Sequence, residues 1–290
     1  MMLVTGSNGF IGANLVQKLL ELRYIPWGVD RVGETDLSLD VASPEFLKYF
    51  QGHKFDYIFH FGSPCSILQF KKDPRSCVDN TLSGFRNVLK LAKSSGAKLI
   101  YASSGNVYGS KETPHFETDR VNPVNLYGIC KSWCENMAQD LNVETLGLRI
   151  FCGYGAGEEK KGYLGSVVYQ FLKEMRMGRA PVIWGDGSQK RDFIYITDIV
   201  EGIIRSMKVN SGVKVLNLAS GSSHSYLEVV KVINRVLGSD LEPIFQEKPE
   251  GYVESTFADV KLMKQVLKLN PLDLRSGIEE FEDWLRIMMK

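Results

Sequence analysis

Met2-Leu3-Val4-Thr5-Gly6-Ser7-Asn8-Gly9-Phe10-Ile11-Gly12 opens the chain, and the reading of this run decides the fold. Met2–Thr5 has the length and apolar character of a short buried strand. Behind the run, Ala13–Leu22 carries Leu15, Leu19 and Leu22 along one side of a helix. Glycines 6, 9 and 12 stand between the two elements. At these positions glycine allows a tight turn, close approach of backbone N–H groups to an anion, and close packing of helix on strand. A pyrophosphate is then favoured at the helix N-terminus, by unpaired N–H groups and by the helix dipole together. The spacing is GxxGxxG rather than GxGxxG, so its position between strand and helix carries the argument more than the motif does. Gly6, Asn8, Gly9, Phe10, Ile11 and Gly12 are therefore expected to hold a dinucleotide.

The next strand, Tyr24–Val29, ends in Asp30, eighteen residues beyond Gly12. A carboxylate there accepts hydrogen bonds from both hydroxyls of an adenosine ribose and repels a 2′-phosphate, which selects NAD over NADP. Asp40, in the mixed segment Asp36–Val41, is placed either to hydrogen-bond adenine or to cap the helix expected over Ser43–Gln51. Strands over Phe55–Phe61, Lys98–Ala102 and Glu144–Ile150 alternate with helices, among them a long one over Asp73–Ser95 that contains Asn80. Such alternation predicts an α/β fold with a doubly wound parallel sheet of the Rossmann type. Its ligand crevice lies at the carboxyl ends of the strands, where Gly62-Ser63-Pro64 lets the backbone pass close to a ligand.

Regular alternation stops near residue 155. A Gly/Lys/Glu loop (Gly155–Gly162), a helix (Leu164–Gly178) and a turn (Trp184–Gln189) precede Lys190-Arg191-Asp192-Phe193-Ile194-Tyr195-Ile196, where two cations flank an alternating strand. A helix over Thr197–Lys208 and a strand over Val213–Ala219 resume the sheet pattern, and residues 221–290 add helices with little β. The expected division is a dinucleotide-binding domain of residues 1–154 plus about 194–220. A smaller, mostly helical C-terminal substrate subdomain takes about 155–193 plus 221–290.

Two further stretches carry chemistry. In Pro123-Val124-Asn125-Leu126-Tyr127-Gly128-Ile129-Cys130-Lys131, Tyr127 and Lys131 stand four apart, which stacks both on one face of a helix beginning near Asn125. A phenol with a pKa of about 10 is a poor base at neutral pH. A neighbouring ammonium group, joined by the positive charge of a nicotinamide ring, favours the phenolate. Tyr101-Ala102-Ser103-Ser104-Gly105-Asn106-Val107-Tyr108-Gly109 leaves a strand at its carboxyl end. A Ser104 hydroxyl there can bond a substrate oxygen that alternates between alcohol and ketone, sharing the proton with Tyr127.

Composition sets the outer bounds. The 290 residues, 44% hydrophobic and 24% charged, suit one large α/β domain or two closely joined ones. A net charge of +1 gives no electrostatic case for nucleic acid or an anionic membrane. No apolar run has transmembrane length, and the N-terminus lacks a basic n-region, so a cytoplasmic protein is expected. Five cysteines at 65, 77, 130, 134 and 152 lack framework spacing, which fits reduced thiols. Cys130 and Cys134 share a helix face without a matching His or Cys pair; packing rather than a metal site is expected.

Gly6/Gly9/Gly12, Asp30, Ser104-Gly105-Asn106-Val107-Tyr108-Gly109, Tyr127/Lys131 and Arg191-Asp192-Phe193 occur in one order along the chain. Together they resemble the extended short-chain dehydrogenases/reductases that modify nucleotide sugars, with the UDP-galactose 4-epimerases as the nearest pattern. The resemblance spans essentially the whole chain. It implies Tyr127 as base and acid, Lys131 bridging tyrosine and nicotinamide ribose, Ser104 on the sugar oxygen, Asn80 near the nicotinamide and Arg191 on the substrate diphosphate. It also implies bound NAD, a nucleotide-diphosphate sugar as substrate, and a homodimer. For that dimer, the helices at 74–95 and 125–142 offer Val78, Leu82, Phe85 and Leu89 with Trp133, Met137 and Leu141.

The chain also departs from the pattern. Dehydratases and decarboxylases of this group carry an acidic residue before Val-Tyr-Gly, where this chain has Gly105 and Asn106, although Ser63-Pro64 looks decarboxylase-like. Cys152 stands where an asparagine is usual on the diphosphate, and Lys248 is the one cation where a C-terminal arginine is usual. The expected function is an NAD-dependent 4-epimerase acting through a transient 4-keto sugar. The alternative is a nucleotide 4-keto-sugar reductase using the same residues; dehydration, decarboxylation and a non-catalytic dinucleotide sensor follow behind.

Overall fold

The computed structural model describes residues 1–33, 35–140, 143–248 and 253–288. Its strands are β1 (Met2–Thr5), β2 (Pro26–Asp30), β3 (Leu37–Ser38), β4 (Tyr57–His60), β5 (Lys98–Ser104), β6 (Thr145–Ile150), β7 (Cys152–Tyr154), β8 (Val182–Trp184), β9 (Lys190–Tyr195), β10 (Val215–Leu218), β11 (Ser223–Ser225) and β12 (Ile244–Gln246). The helices are α1 (Phe10–Glu21), α2 (Pro44–Tyr49), α3 (Ile67–Lys72), α4 (Pro74–Ser95), α5 (Leu126–Asp140), α6 (Val167–Arg176), α7 (Ile196–Ser206), α8 (Tyr226–Leu237), α9 (Lys261–Leu267) and α10 (Leu274–Met288). None of them, among the described residues, is long and apolar enough to cross a membrane.

Seven strands form one parallel sheet in the order β10-β6-β5-β4-β1-β2-β3. The strands are apolar at successive positions because both faces of the sheet are covered. Register pairs Leu3 with Ile58 and Ile58 with Leu99, and sets Val4 beside Phe59 and Phe59 beside Ile100. With side chains alternating along each strand, the first row belongs to one core with Phe46, Phe85 and Leu89. The second row belongs to the opposite core with Leu15, Leu19, Ile199 and Ile203. A parallel sheet with two buried faces, as the alternation predicts, brings every strand's carboxyl end to the same rim.

Some details differ from the sequence reading. β9 is the expected strand, yet it pairs with β7 and β11 in a separate three-stranded sheet, and β12 pairs with β8. These small sheets put more β into the C-terminal part than composition suggests. α3 was not expected as a separate helix. Ser66 caps it by accepting from the Gln69 N–H, and Asp73 ends it and caps α4 by accepting from Ser76 N–H, with Pro74 in the first turn. α6 starts at Val167 rather than Leu164, because Gly165 is extended and the Ser166 hydroxyl caps the helix by accepting from Tyr169 N–H.

α5 starts where Asn125 Oδ1 accepts from the Gly128 N–H at 2.9 Å. Its inner face carries Cys130 beside Phe70, Cys77 and Tyr127, and Cys134 in the core under α4. All five cysteines are free thiols. Of the apolar residues considered for a subunit contact, Phe85 and Leu89 are fully spent inside the protomer, while Trp133 is 51% exposed. Leu141 lies outside the described residues.

Candidate active site

A cavity of about 610 Å³ opens along the carboxyl rim of β1, β2, β4, β5 and β6. At its first end stands the glycine turn. Gly6 has φ +74°, and a Cβ built on it would lie 2.6 Å from Gly62 N. A Cβ on Gly12 would lie 1.9 Å from the Gly6 carbonyl oxygen, so helix and turn are packed closer than any side chain permits. Gly9 N-caps α1 without any side-chain bond to the first turn. The first-turn residues Phe10, Ile11 and Gly12 line the cavity, and the N–H groups of such a turn have no partner within their own helix. This cradle fits a pyrophosphate.

Asp30 lines the same end; its Oδ2 accepts from Asn8 N–H at 3.0 Å and its Oδ1 from Arg31 N–H at 2.8 Å. The Asn8 side chain donates to the Val32 carbonyl, fixing the rim beside it. Asp40 lines the cavity and accepts from Ala42 N–H, so it both caps the turn and stays available to a ligand. A carboxylate in the cavity lining at Asp30 is expected to make NAD bind at least tenfold more tightly than NADP, roughly 1.4 kcal/mol or more. Fluorescence titration with both dinucleotides checks this; equal affinities would remove Asp30 from the ribose.

At the other end, the side chains of Ser104, Tyr127 and Lys131 converge. Ser104 sits at the end of β5, where its Oγ accepts from Asn106 N–H (3.1 Å) and Nδ2 (3.2 Å) and hydrogen-bonds the Tyr127 phenol. Tyr127 is buried against Phe70, ring centres 5.7 Å apart. Lys131, one turn on, donates to Ser63 Oγ at 2.9 Å and to the Ala102 carbonyl at 3.0 Å. Its Nζ stands 5.9 Å from the centre of the Tyr127 ring.

Burial pushes the Tyr127 phenol above its ordinary value, with the Ser104 bond acting the other way. This reverses the lowering expected from Lys131 alone, because desolvation outweighs an ammonium group that bonds Ser63 and Ala102. Burial also lowers the pKa of Lys131 itself. His60, buried at the end of β4 and bonded to Thr5 Oγ1 at 2.7 Å, is pushed down to about 3 and is neutral at physiological pH. Tyr127 is thus protonated at physiological pH at this end of the cavity.

Beneath these residues lies a buried ion pair. Arg149 donates to both Glu135 oxygens, Nε to Oε1 at 2.9 Å and Nη2 to Oε2 at 2.8 Å. Ser103, the neighbour of Ser104, donates to Glu135 Oε1 at 2.5 Å, and Arg149 Nη1 donates to the Tyr108 hydroxyl, which in turn donates to Asn217 Oδ1. Glu135 lies one helical turn beyond Lys131, so one network anchors α5, β5 and β6 where they carry the site.

Asn80 and Cys152 line the cavity, with burial pushing the Cys152 thiol up. Arg191 and Lys248 are not among its lining residues. The Arg191 guanidinium donates to the carbonyls of Lys190, Val253 and Glu254, because β9 turns its side chain toward the 253–256 segment. Lys248 pairs with Glu254. The placement of both on a substrate diphosphate stays an expectation. Sequence reading missed Ser63, Gln69, Lys160, Lys161, Ser166 and Thr256, all in the lining. The Gly62-Ser63-Pro64 turn carried a signal for Ser63, and the Gly/Lys/Glu composition of the 155–162 loop one for Lys160 and Lys161. No His, Cys, Asp and Glu cluster able to hold a metal occurs among the described residues.

Residues 2–219 match the NAD dependent epimerase/dehydratase family. The chain is 26% identical to the UDP-glucuronate 4-epimerase of Thermodesulfobacterium geofontis, over 97% of this chain and 95% of that one. Its fold is similar to the UDP-glucose 4-epimerase of Thermotoga maritima in complex with UDP-glucose: TM-score 0.93, 26% identity, 100% of this chain and 99% of that one. It is also similar to MoeE5 in complex with UDP-glucose and NAD: TM-score 0.89, 26% identity, the same coverage.

Proposed function

The chain belongs to the NAD dependent epimerase/dehydratase family, and on that footing we propose that it is a nucleotide-sugar 4-epimerase acting through a transient 4-keto sugar. The observation that carries this reading is the convergence of Ser104, Tyr127 and Lys131 on one cavity that also holds the glycine turn and Asp30. NAD, when bound, supplies the acceptor and donor of hydride. The residues of the chain handle the proton. Tyr127 takes it from the sugar 4-hydroxyl and returns it; Ser104 holds the same oxygen through either oxidation state; Lys131 adds positive charge on the phenolate side. Gly105 and Asn106 offer no acid or base for abstraction at C5, which favours epimerisation over dehydration or decarboxylation. Several relatives act on UDP-sugars, which supports a uridine nucleotide as the carrier.

In this reading residues of about 155–193 and 221–290 form the sugar-nucleotide side. A substrate deuterated at C4 tests the chemistry. Hydride transfer retains the label in both epimers, whereas loss of label to water would mean proton exchange at C4 and would contradict it.

The homodimer belongs to the same proposal. The outer face of α4 and α5, around exposed Trp133 with half-buried Val78, Leu82 and Met137, is its contact. Light scattering at micromolar concentration is expected to give twice 32.6 kDa. A monomer mass would defeat it, and Trp133→Glu is expected to shift the wild-type dimer toward monomer.

A further inference from the structure

Lys161 stands on the loop between β7 and α6, yet its ammonium group reaches the first residue of α1. Its Nζ lies 3.9 Å from the centre of the Phe10 ring, and Lys161 lines the cavity together with Gly9, Phe10 and Ile11. The lysine is held there rather than waving in solvent: its side chain is 21% exposed and its Nζ donates to Glu158 Oε1 at 3.2 Å. Glu158 is itself fully buried, and its carboxylate accepts from Gly155 N–H, Ser166 N–H and the Ser166 hydroxyl. The loop is tied to α1 a second time, where Asn14 Nδ2 donates to the Ala156 carbonyl at 3.0 Å.

This is a lysine aimed by a buried carboxylate that other donors already satisfy. An ammonium group has three donors, and Glu158 takes one of them. The Lys161 Nζ stands over Phe10, the first residue of α1, beside the helix N-terminus where an anion is favoured. A cation at that position strengthens anion binding by direct charge-assisted hydrogen bonds.

We propose that Lys161 is a pyrophosphate-binding residue for the dinucleotide, closing over the anion from the side opposite the glycine turn, with Glu158 as its positioning residue. The proposal rests on the NAD-binding reading of this cavity. It gives the 155–164 loop a role in cofactor retention, which a 4-epimerase needs because the same dinucleotide must stay bound through successive turnovers.

The test is calorimetric titration of nucleotide-free protein with NAD, ADP-ribose and adenosine, for the wild type, Lys161→Ala and Lys161→Arg. Lys161→Ala is expected to weaken NAD and ADP-ribose roughly tenfold while leaving adenosine within about twofold, since adenosine has no phosphate. Lys161→Arg is expected to restore most of the loss, and added salt is expected to narrow the gap between wild type and Lys161→Ala. NAD and ADP-ribose affinities unchanged in Lys161→Ala would overturn the proposal. So would an equal loss for adenosine, which would assign the effect to lost packing on Phe10. Failure of the wild type to bind NAD at all would overturn the reading beneath it, and Lys161's role with it.

Discussion

Tyr127→Phe is expected to lower kcat by roughly 10²- to 10⁴-fold, the range for losing a general acid–base group. The ring is retained, so its packing on Phe70 and the walls of the cavity stay in place and KM is expected to change little. The sign of the pH dependence follows from burial. Because burial raises the Tyr127 pKa, the phenolate needed for proton removal becomes more populated as pH rises, and wild-type kcat is expected to climb on the alkaline side. The residual activity of Tyr127→Phe is expected to lack that limb. Ser104→Ala removes a hydrogen bond to the same phenol and a contact to the sugar oxygen, and is expected to cost less. Initial rates across pH for the three proteins check all of this; a phenylalanine variant within threefold of wild type would remove Tyr127 from the chemistry.

Glu135→Ala is expected to be the most destabilising single change at the site, by about 3–5 kcal/mol, the usual cost of stranding one member of a buried ion pair. Both partners have side chains only 5% exposed, and the Arg149 guanidinium would lose both carboxylate oxygens at once. Ser103 would lose its acceptor as well, adjacent to Ser104. Replacing both charges, as in Glu135→Met with Arg149→Leu, is expected to cost much less than the sum of the single changes, since neither charge is then left unpaired. Urea unfolding with the slope held constant measures these differences. A loss under about 1 kcal/mol for Glu135→Ala would mean that water reaches the guanidinium and that the pair does not anchor α5 to the sheet.

The sheet was legible in the chain because its strands carry apolar residues on both faces, and because glycines 6, 9 and 12 have no other economical explanation. The convergence of three side chains on the cavity was legible for a similar reason: Tyr127 and Lys131 share a helix face, and Ser104 ends a strand on the same rim. Contacts made across long sequence separations were not legible. Ser63 holds Lys131 from 68 residues away. Arg149 looks like one more residue of a buried strand until Glu135 is set beside it. Arg191 is a similar case: its guanidinium donates to the carbonyls of Lys190, Val253 and Glu254, and no local pattern places the 253–254 segment beside it. Spacing reports proximity of Tyr127 to a charge and says nothing of desolvation, which raises its pKa in the protein without dinucleotide.

NMR of unlabelled nucleotide sugars decides whether Tyr127 and Ser104 move the proton of a sugar 4-hydroxyl out and back in one catalytic cycle. The purified protein is supplied with UDP-glucose, UDP-N-acetylglucosamine or UDP-glucuronate, without added NADH, and both 4-epimers are followed. The account predicts that at least one of these sugars interconverts with its 4-epimer to a fixed ratio, with no net change in NADH absorbance. If all remain unchanged while a nucleotide 4-keto sugar consumes NADH mole for mole, the epimerase reading is contradicted and the chain is a reductase.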